Sequence, residues 1–120
     1  MHSYRIDLDS HILWESFTGE IDATDLNKAN SKILNDPDFR RGLRFVSDMR
    51  DATISMGYEE MARHVQQHPD LCIKKQAFIV SSDAALGMTR MFEILSEDKC
   101  PNQETNIFKD LETALKWLNS

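Results

Sequence analysis

The stretch Tyr4–Gly19, "YRIDLDSHILWESFTG", decides how the fold begins. Two runs of alternating apolar and polar residues flank a short polar break, which is the pattern of a β-hairpin. Pairing Leu8 with Ile12 leaves Asp9, Ser10 and His11 as a three-residue loop. In that register Tyr4, Ile6 and Leu8 share a face with Ile12, Trp14 and Ser16, and Arg5 stands opposite Glu15. Gly19 reads as the end of the second strand. The chain therefore opens with an antiparallel pair.

Beyond the hairpin, helical and strand patterns alternate. Asp22 and Asp25 have the spacing of a capping box, with Asp in place of the usual Glu or Gln, and Leu26, Ala29, Ile33 and Leu34 follow at helical intervals. Pro37 in "NDPDF" stops that helix. "LRFVSDM" is a third strand, and Tyr58, Met61, Ala62 and Val65 form the stripe of a second helix. "QAFIVS" is apolar on both alternating sets, so it predicts a strand buried on both faces. Ser82 or Asp83 caps a third helix over "AALGMTRMFEILSED", with Ala84, Met88, Met91, Phe92 and Leu95 on one side. "TNIFKD" gives a fifth strand, and Asp110 caps a last helix with Leu111, Ala114, Leu115 and Leu118 inward.

The order β-β-α-β-α-β-α-β-α predicts an α/β fold with a five-stranded mixed sheet in the order 1-2-3-4-5. Strand 1 is antiparallel and the others are parallel. Right-handed crossovers then place the helices mainly on one face, a single-layer (βα)n superhelix rather than a doubly wound sheet. The 120 residues make one domain, without linker or repeat.

Composition narrows the function classes. Net charge is −6, and the 14 basic residues are scattered among 20 acids, which excludes a phosphate-binding surface for nucleic acid. The basic group Arg40, Arg41 and Arg44 reads as a solvated turn entering a strand. No apolar run approaches the roughly 18 residues of a membrane span, and "MHSYRIDLD" lacks the pattern of a signal peptide. Cys72 and Cys100, with no CxxC, read as free thiols of a reducing compartment, so a cytoplasmic protein is expected.

"FTGEID" leading into a helix, "DPDFRRGLRFVSDMRD", "QAFIVSSDAALGMTRMFE" and the terminal "FKDLETALKWL" together resemble the SpoIIAA-like family. These are bacterial proteins of the STAS type, related in fold to CRAL-TRIO lipid-binding domains. The resemblance runs from about Tyr4 to Leu118 and implies the architecture above, with a nonpolar ligand by analogy. The anti-sigma-factor antagonists of that group carry a phosphorylatable serine in an Asp-Ser-Ser-Gly motif after the third strand. The corresponding "DATISMGYEE" has Gly57 but no Asp-Ser-Ser, so neither Ser55 nor Thr53 is carried over as a phosphosite.

Among chemical candidates, Asp48, Arg50 and Asp51 cluster at the expected end of the third strand, where parallel sheets bind ligands. An Arg beside two acids lowers their pKa values and opposes general-acid work, so the cluster reads as turn and cap hydrogen bonds. Ser82 and Asp83 at the next strand end read as caps, since no glycine precedes Gly87 there to wrap a phosphate. His64 and His68, four apart with Glu60 one turn earlier, are a weak metal candidate lacking a third protein ligand. Met56, Tyr58, Met61, Leu86, Met88, Met91 and Ile94 give the second and third helices more apolar surface than one stripe requires. The expectation is a non-enzymatic binding module without cofactor. Its apolar helix surface or pocket would take a partner subunit, as a homodimer, or a nonpolar small ligand. A regulator of the anti-sigma-factor-antagonist type is the alternative, and a metal- or carboxylate-dependent enzyme a third.

Overall fold

The computed structural model describes residues 1–40, 42–67, 73–81, 87, 90 and 103–120. Strands β1 (His2–Asp7) and β2 (Ile12–Ile21) lead into helix α1 (Ala23–Leu34). Strand β3 (Arg44–Ile54), helix α2 (Tyr58–Gln67), strands β4 (Lys75–Ile79) and β5 (Glu104–Phe108) and helix α3 (Leu111–Leu118) complete the described elements. Between β4 and β5, Gly87 and Arg90 are helical. The sheet order is β1-β2-β3-β4-β5, with β1 antiparallel to β2 and every other pair parallel. No described helix is long and apolar enough to cross a membrane.

Local chemistry sets the boundaries of α1 and α3. Asp22 accepts from Asp25 N while Asp25 Oδ2 accepts from Asp22 N, both at 3.0 Å, so the all-aspartate capping box forms. Asp110 caps α3 by accepting from Thr113 N at 2.8 Å. Every residue of β4 is buried, as its double apolar pattern requires.

The hairpin register differs from the expectation by one residue. Asp7, not Leu8, pairs with Ile12, which leaves a four-residue loop, and Arg5 faces Trp14 instead of Glu15. Asp7 Oδ1 accepts from Asp9 N at 3.0 Å and Ser10 N at 3.4 Å, and His11 takes the left-handed conformation (φ 58°). Leu8 is drawn into this turn and left 45% exposed. In exchange Ile6 pairs with Leu13, and both join Ile33, Leu43 and Phe45 in the core beneath α1.

β2 also runs past Gly19. A register shift between Ser16 and Thr18 bulges the strand, Gly19 supplies φ +80°, and Ile21 reaches the core beside Ala29. β3 is thereby given a partner as far as Ile54, so Asp48, Arg50 and Asp51 lie within the strand and not at its end. The end at that level belongs to β4, whose pairing with β3 stops at Ile79 opposite Asp48.

Alternation along the strands separates two faces. Leu13, Phe17, Phe45, Met49 and Phe78 turn toward α1, and α2 packs alongside α1. Ile12, Val46, Ala77 and Ile79 turn the other way and are covered by Ala114 and Leu118 of α3. Two of the three described helices thus share a face, and α3 is the exception. It follows the edge strand and crosses to no further strand, so the handedness rule does not bind it, whereas the apolar back of β3 and β4 needs cover. Leu111, expected inward, is 36% exposed at the start of this helix.

Candidate functional site

One helix, about 10 Å across with its side chains, covers roughly two strands spaced about 4.8 Å apart. α3 lies over β4 and β5 and its Ala114 and Leu118 also cover Ile12 and Val46, so the residues of this face with solvent access include Ser3, Arg5, Trp14, Ser16, Asp48 and Arg50 on β1, β2 and β3. Two rows of residues cross this area in register. Arg5, Trp14 and Val46 are successive partners in one, and Ser3, Ser16, Asp48 and Ile79 in the next. Together with Arg50, and with Leu111 on the α3 side, they line a groove of about 340 Å³. Trp14, Val46 and Ile79 make its apolar floor. Trp14 Nε1 is buried with no hydrogen-bond partner among the described residues.

Asp48 and Arg50 form a closed pair at one end. Arg50 Nη2 donates to Asp48 Oδ2 at 2.8 Å and Arg50 Nε to Oδ1 at 3.0 Å, and the Arg50 backbone N–H adds a third bond at 3.1 Å. The Arg50 hydrogen bonds hold the Asp48 carboxyl below its ordinary range, against the opposing effect of burial, and Asp48 in turn raises Arg50. Asp48 therefore stays ionised and serves as a counter-charge, not as a proton donor. Asp51 is exposed and stands outside the groove lining; its charge reaches Arg50 only through space. Just past β4, Ser81 Oγ donates to Arg50 O at 2.8 Å and ties the end of β4 to the middle of β3.

The opposite face holds a polar row that the sequence reading missed. Ser47 Oγ donates to Glu15 Oε2 at 2.5 Å, and Gln76 Nε2 donates to Ser47 Oγ at 3.1 Å. Gln103 Nε2 donates to Gln76 Oε1 at 3.3 Å and Thr105 Oγ1 at 3.1 Å, while His2 Nε2 lies 2.9 Å from Glu15 Oε1. The row spans all five strands beneath the α1 face. Ser47 meets a carboxylate and not a histidine, and it is wholly buried, so the row offers no nucleophile to a substrate. The visible signal was a polar residue at the inward phase of successive strands.

Met56 and Met61 are 7% and 2% exposed, so these two fill the interior and offer no surface. Leu86, Met88, Met91, Ile94, Ser82, Asp83 and His68 lie outside the described residues, as do the side chains of Tyr58 and His64. Arg44, read as part of a solvated turn, instead donates to Leu118 O and Asn119 Oδ1 at 2.9 Å and to Ser10 O at 2.6 Å.

Similarity among solved structures agrees with this architecture. The chain matches an uncharacterized protein from the DUF3478 family, with a SpoIIAA-like fold, from Shewanella loihica PV-4. The TM-score is 0.63 at 16% sequence identity, over 98% of this chain and 92% of that one. The fold is SpoIIAA-like. No protein-family model matches the sequence, and no curated protein matches it. The shared SpoIIAA-like fold settles strand order and direction, and leaves activity to the groove and its residues.

Proposed function

We propose that this protein is a non-enzymatic binding module and that the groove beside α3 is its seat for a small, largely nonpolar ligand. The observation that carries the reading is the groove of about 340 Å³ beside α3, where the part-exposed Trp14 and the 36% exposed Leu111 stand over the buried Val46 and Ile79. A concave site of this size lies at the small end of ligand pockets. Its carboxylate Asp48 is neutralised in place, and no serine hydroxyl in the lining is paired with a base.

Leu111→Glu tests the reading with little risk to the fold, since the position is half-exposed and a carboxylate suits the first turn of a helix. Native mass spectrometry of freshly purified protein is expected to show a bound nonpolar molecule on the wild type and none on Leu111→Glu. Equal retention by both proteins would place the ligand elsewhere.

A protein-interaction regulator of the anti-sigma-factor-antagonist type is the second reading, favoured by one feature. Ser55 is exposed just beyond β3, held by a 2.8 Å bond from its N–H to Ile21 O, where a kinase has access. With no Asp-Ser-Ser before Gly57, Ser55 is expected to stay unmodified when the protein is incubated with ATP and lysate of the producing organism. A stoichiometric phosphate by intact mass would put the regulator first.

A further inference from the structure

One cation of the groove, Arg5, has no hydrogen-bond partner for its guanidinium among the described residues. Asp48 and Arg50 cancel, and the Glu15 carboxylate is held by Ser47 and His2 on the opposite face. Asp7, on the same strand as Arg5, has Oδ1 engaged by the Asp9 and Ser10 amides, and its charge reaches Arg5 only through space, without a hydrogen bond. Arg5 itself makes no hydrogen bond or ion pair to any described residue. Its guanidinium carbon lies 5.3 Å from the centroid of the Trp14 ring, an arrangement that orients the planar fork while leaving its N–H donors unused. Ser3 and Ser16, partners in the adjacent row, bring two hydroxyls to the same end of the groove.

We propose that the ligand of this groove is an amphipathic anion. Its carboxylate pairs with Arg5, assisted by the Ser3 and Ser16 hydroxyls, and its hydrocarbon body lies on Trp14, Val46 and Ile79. The assignment rests on the groove being the binding site and adds the chemical class. A cation with unengaged N–H donors beside apolar side chains selects a molecule with both features: a neutral apolar ligand would leave the Arg5 donors unused, and a fully polar anion would make no use of Trp14 and Leu111. Fixed orientation of the fork by the indole gives the pairing direction as well as charge.

Sodium octanoate and 1-octanol, which share a chain and differ in head group, separate the two parts. Both are titrated into isotopically labelled protein while the Trp14 indole N–H and Leu111 methyl resonances are followed. Wild type is expected to bind octanoate about fivefold more tightly than octanol at low salt, the size of a favourable exposed ion pair, with the preference shrinking as salt is raised. Arg5→Gln is expected to bring octanoate down to the octanol level without changing octanol, and Arg5→Lys to keep part of the preference. Equal binding of the two molecules by wild type, or a preference that survives Arg5→Gln, overturns the anion assignment and leaves the groove standing. If neither molecule moves either resonance, the groove reading falls as well.

Discussion

Ser47 has no exposed surface, and both its hydrogen-bond partners are buried side chains from neighbouring strands. Ser47→Ala would leave Glu15 Oε2 without its donor, although Oε1 keeps His2, and Gln76 Nε2 without an acceptor, all at buried positions. Orphaning two such groups is expected to cost about 2–4 kcal/mol, measurable as a fall in the urea midpoint. A loss under about 0.5 kcal/mol would show that the row is bridged by other means. Asp48→Ala should behave differently. The pair it breaks is partly exposed, with 43% of the Arg50 side chain and 31% of the Asp48 side chain in solvent, so screening reduces the loss to about 0.5 kcal/mol. The same contrast explains what single residues disclosed in the sequence. The Asp22–Asp25 box was legible because both partners lie three apart on one segment. The Glu15–Ser47–Gln76 row was not, because its members are 32 and 29 residues apart and meet only through strand register.

At the level of elements, α3 is fastened at both ends by different chemistry. Asp110 caps its N-terminus, while its last carbonyls take donors from the sheet: Arg44 Nη1 to Leu118 O, and Lys75 Nζ to Trp117 O at 3.3 Å. Cations at a helix C-terminus also complement the helix dipole. Arg44→Ala is expected to cost about 1–2 kcal/mol and to red-shift Trp117 emission as the helix end loosens over Lys75, whose ammonium lies 5.0 Å from that ring. An unchanged spectrum and stability would show that Ala114 and Leu118 hold α3 by packing alone. The element order, strand directions and the burial of β4 were legible because each rests on a period of 2 or 3.6 within one segment. The face chosen by α3 was not, since a helix after an edge strand lacks a crossover to constrain it. The length of β3 was hidden for a related reason: its last residues pair only because β2 bulges at Ser16 and turns through Gly19. The one-residue error in the hairpin had a further source. The match of Arg5 with Glu15 looked favourable, yet an inward Ile6–Leu13 pair outweighs a surface ion pair.

For the whole molecule, association and acid stability are open to direct test. The apolar residues Leu86 and Ile94 remain the sequence argument for a homodimer, and Leu86→Glu is expected to convert a dimer to monomers in light scattering at micromolar concentration. Wild type that is already monomeric would end that reading. Acid stability follows from how the carboxylates are used. Asp25, Asp36, Asp48 and Asp110 all have lowered pKa values, chiefly because of hydrogen bonds from the Asp22 amide, the Asp38 amide, the Arg50 side chain and the Thr113 amide, respectively. The Asp110 carboxyl, for one, accepts from both the amide and the hydroxyl of Thr113. A carboxylate whose folded pKa is depressed binds fewer protons folded than unfolded, so its contribution is complete above the unfolded value of about 3.9 and disappears as pH falls through the folded values. Tyr4 works at the other limit. Burial first, and then its 2.8 Å bond to Asp36 Oδ2, raise its pKa, so its contribution is complete below about pH 10 and is lost as pH rises through the folded value. The urea midpoint is therefore expected to fall steeply below about pH 4, and Asp36→Asn to soften that fall, because one of the displaced groups is gone. Tyr4→Phe should flatten the alkaline decline and leave most of the acid limb, since Asp36 keeps the Asp38 amide at 2.9 Å. A midpoint that holds constant from about pH 5 to pH 2.5 would mean that these turn and cap bonds contribute nothing to the fold, and the reading of its acidic residues as local fasteners would have to be abandoned.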